Sequence, residues 1–167
     1  ITTDGLELAE PIVFSEVTFI PIVKHEVPRE EREYLTLEEA LAEELCKITD
    51  KGTEVDHIVF QSTTELPILI EEGDIFQGLG TQDRISVGTV MVQPGDTVEI
   101  AVKCVHAPHA LSSGARFGYS GKCSRSMLSE LRTLKHAAAR TSSSASTISQ
   151  SKVWAKVSEE TASESVQ

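Results

Sequence analysis

From Val55 to His106 the chain alternates apolar and polar residues in four short runs, "VDHIVFQS", "LPILIEEGD", "RISVGTVMV" and "DTVEIAVKCVH". Turn residues separate the runs, and no helical pattern lies between them. Parallel neighbours need a connection of a dozen or more residues, so strands that follow one another this closely pair antiparallel. The stretch "QPGD" at 93–96 is the clearest hairpin signal. In the last run Val98, Ile100, Val102 and Cys104 share one face and Glu99 and Lys103 the other, which points Cys104 into the core.

Helical patterns flank this region. In "YLTLEEALAEELCKI" Thr36 and Glu39 have the spacing of a capping box, and Leu37, Leu41, Leu45 and Ile48 fall on one face of a helix that Asp50, Lys51 and Gly52 would end. "SRSMLSELRTLKHAAAR" carries an apolar stripe of Met127, Leu131, Leu134 and Ala138 and a basic exterior of Arg125, Arg132, Lys135 and Arg140. "QSKVWAKV" places Val153, Trp154 and Val157 at helical spacing. "VTFIPIV", residues 17–23, reads as a strand interrupted at Pro21. Residues 107–124 have no period and read as a long loop, "TSSSASTIS" as a flexible polar stretch, and 158–167 as a disordered tail. The expected fold is α+β: a mainly antiparallel, sandwich-like or partly closed sheet, with one helix before it and one or two amphipathic helices after it. A single domain over 1–157 is expected.

With 167 residues, 40% of them hydrophobic, the chain can bury a sizeable core. Its apolar runs stop short of the roughly 18–20 residues a membrane span requires. The opening "ITTDG" shows neither a secretory signal nor an initiator methionine, which reads as a trimmed start and a cytoplasmic protein. Three cysteines without a CxxC pair fit reduced thiols. The net charge of -11 is uneven: residues 1–100 carry 22 acids against 6 Lys and Arg, whereas 101–157 carry 9 Lys and Arg against Glu130 alone. An acidic total argues against general nucleic-acid binding but leaves room for a local anion site.

The stretch "EEGDIFQGLGTQDR", residues 71–84, concentrates the candidate chemistry. A dinucleotide loop needs a third glycine and a following helix; here "GLGTQD" runs into a strand pattern, so its glycines serve a chain reversal. Glu72, Asp74, Gln77, Gln82, Asp83 and Arg84 crowd that reversal. Cys104, His106, His109 and Cys123 lack a zinc-ligand spacing, and no metal or cofactor is expected. Cys104 and His106, two apart on a strand, stand roughly 6.5–7 Å from each other, too far for a nucleophile and its base. No G-x-S-x-G elbow is present. Arg84 and Arg116 remain as anion ligands, with Phe117, Tyr119 and Trp154 able to stack on a ring.

The order "YLTLEEALAEELCKIT", "ELPILIEEGDIFQGLGTQDR", "VMVQPGDTVEIAVKCV" and "QSKVWAKV" resembles the ARPP-1 domain, a prokaryotic family named for its association with ADP-ribosylglycohydrolase and rhodanese-phosphatase proteins. The positions that match its motifs are Glu72, Gly78, Gln82, Arg84, Cys104, Gln150 and Trp154. Asp83 and His106 depart from the family's asparagine and acid. The resemblance spans roughly residues 17 to 157 and implies a short member or the N-terminal half of the family's usual length, in a setting of ADP-ribose or NAD-derived nucleotides. Three readings follow. One is a module that binds an anionic, nucleotide-like ligand through Gln82, Arg84, Arg116, Gln150 and Trp154. The second is a hydrolase on such a nucleotide, with Glu72 or Asp74 as base and Arg84 stabilising charge. The third is a protein-interaction domain, with a homo-oligomer among the expected partners and no membrane.

Overall fold

The computed structural model describes residues 6–24, 32–52, 54–105, 112–140 and 148–164. The chain divides into two compact units, Ile1–Arg32 and Glu33–Gln167, where the sequence pattern drew no boundary. In the first, β1 (Leu6–Leu8) pairs antiparallel with β4 (Ile22–Lys24), and β2 (Ile12–Phe14) with β3 (Val17–Phe19). Ser15, at φ 54°, turns the β2–β3 hairpin. Pro21 lacks a ladder donor and falls between β3 and β4, as its chemistry requires.

The second unit is built on a closed barrel. Its strands are β6 (Cys46–Asp50), β7 (His57–Ser62), β9 (Asp74–Leu79), β10 (Arg84–Ser86), β12 (Thr97–Cys104) and β13 (Arg116–Lys122), in the order β10-β12-β7-β6-β13-β9. Every barrel pairing is antiparallel, as expected, and the sheet closes fully on itself, so a closed barrel stands where a sandwich-like or partly closed sheet was expected. β6 and β13 meet at one register pair, Thr49↔Arg116, which leaves this seam the least zipped of the barrel's joins. A second sheet orders β11 (Val90–Val92), β8 (Ile68–Ile70) and β5 (Leu35–Thr36), with β5 parallel to β8. The "QPGD" turn joins β11 to β12, which belong to different sheets, so it is a corner and not a hairpin.

Alternation sorts each barrel strand into an inner and an outer face. Ile48, Ile58, Phe60, Phe76, Ile100, Val102 and Phe117 form one buried cluster, joined by Ile68, Ile70 and Val92 of the second sheet and by Leu37 and Ala40 of α1 (Leu37–Ala42). On the opposite side, Ile85 of β10 and Val87 just after it pack under Met127, Leu131 and Leu134 of α2 (Arg125–Arg140) and Val153 of α3 (Gln150–Glu164). No helix among the described residues is long and apolar enough to cross a membrane.

Three sequence expectations need correction. The capping box is present: Glu39 N donates to Thr36 Oγ1 at 3.3 Å, and Thr36 N donates to Glu39 Oε2 at 2.8 Å. Yet α1 stops at Ala42, because Glu44 takes φ 56° and the β-branched run after it enters β6, so Ile48 is a strand residue. The supposed loop 107–124 holds β13, whose period is hidden by Gly118, Gly121 and a register irregularity between Tyr119 and Lys122. Finally, α3 continues to Glu164, so residues 158–164 are helical where a tail was expected. "TSSSAST" lies outside the described residues.

Candidate functional site

The reversal between β9 and β10 is held from inside. Register pairs Phe76 with Arg84 and Arg84 with Cys104, so all three side chains lie on one face, the barrel's interior. Arg84 is fully buried there. Its Nη2 donates to Asp50 Oδ2 at 3.3 Å, its Nη1 donates to the Gln82 carbonyl at 2.8 Å and to Gln82 Oε1 at 3.4 Å, and its guanidinium carbon stands 5.9 Å from the Phe117 ring centre. A buried charge needs such partners, since isolation in low dielectric is prohibitive. Asp50, at the end of β6, also accepts from Thr81 Oγ1 and, at 2.8 Å, from Gly52 N. Asp83 accepts from Gly78 N at 2.7 Å. A Cβ on Gly78 would lie 2.2 Å from the Thr81 carbonyl oxygen, which explains the glycine. The polar crowd at 71–84 thus serves largely to brace its own turn.

Gln150, the first residue of α3, extends this framework. Its Oε1 accepts from Cys104 N at 3.0 Å and its Nε2 donates to the Cys104 carbonyl at 2.7 Å. A side-chain amide here completes the hydrogen bonding of a strand end, as a neighbouring strand would. The structure therefore brings Gln82, Arg84 and Gln150 into one cluster around β10 and the end of β12. Trp154 lies one turn further along α3, half-buried, with Nε1 lacking a hydrogen-bond partner among the described residues.

Arg116 stands apart from that cluster. It is exposed and lines a cavity of about 580 Å³ where α1 covers the β6–β13 seam. Leu41, Ile48, Leu79, Phe117 and Tyr119 supply apolar and aromatic wall; Lys47, Glu38 and Glu44 join Arg116 as the charged groups. Phe117 belongs both to this wall and to the Arg84 contact. Small-molecule sites commonly have this volume, and here the lining mixes four charged side chains with the apolar and aromatic wall. Of Gln82, Arg84, Arg116, Gln150 and Trp154, the residues expected to bind a ligand, only Arg116 lines it; of the aromatics expected to stack on a ring, Phe117 and Tyr119 line it and Trp154 does not. Lys47, Glu38 and Glu44 were missed, because the helix reading of "CKITD" hid the strand that brings Lys47 to the seam.

The two candidate bases point elsewhere. Glu72 accepts from Arg132 Nε at 2.9 Å and from Lys135 Nζ at 2.7 Å on α2. Desolvation raises its pKa, but the hydrogen bonds and charges of Lys135 and Arg132 outweigh that, and the net shift is downward. Asp74 is buried and accepts from Glu71 N at 2.7 Å, Lys122 Nζ at 3.0 Å and Tyr119 Oη at 3.4 Å. Neither lines the cavity. The thiols are no better poised: burial pushes Cys46 and Cys123 up to about 11 and raises Cys104 as well. His106 and His109 lie outside the described residues.

One further cluster escaped the sequence reading. Ligand atoms of Glu54, His57 and Glu99 lie within 4.8 Å of one another. Lys51 Nζ stands among them, 3.2 Å from Glu54 and 2.9 Å from Glu99, and its ammonium makes this an exposed ion-pair group.

Comparison with known proteins supplies a family and nothing finer. No curated protein and no solved structure matches the chain. The profile of the ARG and Rhodanese-Phosphatase-superfamily-associated Protein domain matches residues 5–167, nearly the whole sequence. A match over nearly the whole sequence shows the family, and the chain belongs to the ARPP-1 family.

Proposed function

We propose that this domain is a binding module for an anionic, nucleotide-like small molecule, and that the ligand occupies the cavity between α1 and the β6–β13 seam. The observation that carries the reading is the lining: Arg116 and Lys47 for a phosphate, Phe117 and Tyr119 for a ring, Glu38 and Glu44 for ribose hydroxyls. Gln82, Arg84 and Gln150 act in this reading as the frame behind the site, because the Gln82 Oε1, both terminal nitrogens of Arg84 and both amide atoms of Gln150 are engaged with the protein. Trp154 does not line the cavity and is assigned no role at the ligand. The nucleotide class rests on the family's associations, and the anion preference rests on Arg116 and Lys47.

The test is a thermal-shift series against ADP-ribose, NAD, mononucleotides and inorganic phosphate, followed by titration calorimetry. Ligand at a hundred times its Kd adds about 2.7 kcal/mol to the stability of the folded state. The expected result is a shift with one nucleotide that Arg116→Ala and Lys47→Ala each weaken tenfold or more. Absence of any shift, or a shift indifferent to both substitutions, would remove the proposal. Product formation dependent on Glu72 would instead revive the hydrolase.

A further inference from the structure

Gly118 is a glycine that its own strand does not require. It lies in the regular part of β13, where Phe117, Gly118 and Tyr119 pair in unbroken register with Gly78, Gln77 and Phe76 of β9, and its φ is not positive. A Cβ placed on it would meet only Gln77 Oε1, at 4.0 Å, which is ordinary contact. The irregularity of β13 falls beyond Tyr119, where Gly121 takes φ 95°. Glycine inside a strand costs stability, since it packs no side chain and loses the most conformational freedom on folding. Where the backbone does not demand it, its remaining use is the space it leaves for a group that approaches the strand closely.

That space opens into the cavity beside the β6–β13 seam. The strands join at Thr49↔Arg116 and their pairing goes no further. Carried two residues along each strand, the same register brings Lys47 across from Gly118, on the face that Arg116 also occupies. Both cations are uncommitted. Elsewhere on the barrel strands Arg84 pairs with Asp50, Lys103 with Asp56, and Lys122 with Glu71 and Asp74. Neither Lys47 nor Arg116 has an ion pair or a side-chain hydrogen bond among the described residues, and the cavity's acids, Glu38 and Glu44, pair with neither.

We propose that Gly118 is the floor of an anion subsite, over which a phosphate group of the ligand is held between Arg116 and Lys47. This assignment rests on the nucleotide-binding reading of the cavity and adds to it the residue that decides whether the phosphate can seat. Diagonal positions in a paired ladder stand roughly 7–8 Å apart, within reach of two long side chains that converge on one group. A valine at 118 would project between them and fill the place of the phosphate, with both cations retained.

Titration calorimetry with ADP and with inorganic pyrophosphate, on the wild type, Gly118→Ala, Gly118→Val and Arg116→Ala, tests the subsite. Gly118→Val should weaken both probes tenfold or more and Gly118→Ala less, while both variants melt at or above the wild-type temperature, because a side chain here suits the strand and meets no close neighbour. The Arg116→Ala, Gly118→Val double variant should lose less than the product of the two single losses, since both act on one phosphate. Wild-type affinity in Gly118→Val beside a tenfold loss in Arg116→Ala would remove the floor and leave the binding module standing. Absence of binding of either probe by the wild type would remove the subsite, whatever nucleotide the thermal-shift series finds. A melting temperature lowered in both Gly118 variants would show that the fold needs the glycine, and fully multiplicative losses would place Gly118 away from the phosphate; either overturns the assignment.

Discussion

Arg84 and Asp50 meet inside the barrel at 3.3 Å, with neither side chain reaching solvent. Thirty-four positions separate them in sequence, and their pairing ties the β9–β10 turn to the end of β6. Removing one partner strands the other charge in the interior. Asp50→Ala and Arg84→Ala should each cost about 3–5 kcal/mol in urea denaturation, whereas the joint Asp50→Leu, Arg84→Met replacement should recover much of that loss. Single variants within about 1 kcal/mol of wild type would show that the pair does not carry the turn.

The same turn makes two neighbouring glycines unequal. A Cβ at Gly78 meets backbone atoms, the Thr81 oxygen at 2.2 Å and its carbonyl carbon at 2.7 Å, and backbone cannot swing aside. Gly80 has open space but sits at φ 87°. Gly80→Ala should therefore cost about 1–2 kcal/mol from backbone strain, and Gly78→Ala more, about 3 kcal/mol or above. Equal losses on denaturation would contradict the geometry.

Local chemistry was legible in the sequence and long-range chemistry was not. Thr36 and Glu39 announce the start of α1 because both partners of the capping box lie within one turn. Its end depends on Glu44 adopting a positive φ, which no residue preference foretells. Met127, Leu131 and Leu134 showed α2 by spacing alone. β13 stayed hidden, since Gly118 and Gly121 interrupt the alternation that reveals a strand. Arg84 read as an anion ligand because a lone arginine in a polar loop gives no sign of its partner; Asp50 becomes visible only once β6 and β10 are placed in the same barrel. Cys104 and Gln150, 46 positions apart, join for the same topological reason.

Gln150 offers a test with a site-specific readout. In Gln150→Leu the Cys104 N–H and C=O lose both partners, which should cost about 1–3 kcal/mol. Hydrogen exchange should accelerate at the Cys104 amide and along α3, while the β7–β12 amides keep their protection. A global loss of protection with no preference for these positions would argue that Gln150 contributes packing and not the strand-end hydrogen bonds.

Glu72 gives the molecule an acid-sensitive join between the body and α2. Its pKa is lowered in the folded state: burial pushes upward, and Lys135 and Arg132 pull further down. A depressed carboxylate binds its proton more readily when unfolded, so its contribution is fully present above the unfolded value of about 4.3 and is lost as pH falls through that value toward the folded one. Glu72→Gln should thus destabilise the protein at pH 7, and the gap from wild type should close as denaturation is repeated at successively lower pH. Added salt should narrow the gap at neutral pH as well, because Arg132 is largely exposed and its pairing is screened. A gap that persists unchanged below the carboxylate range would mean that Glu72 acts through packing and not through its charge.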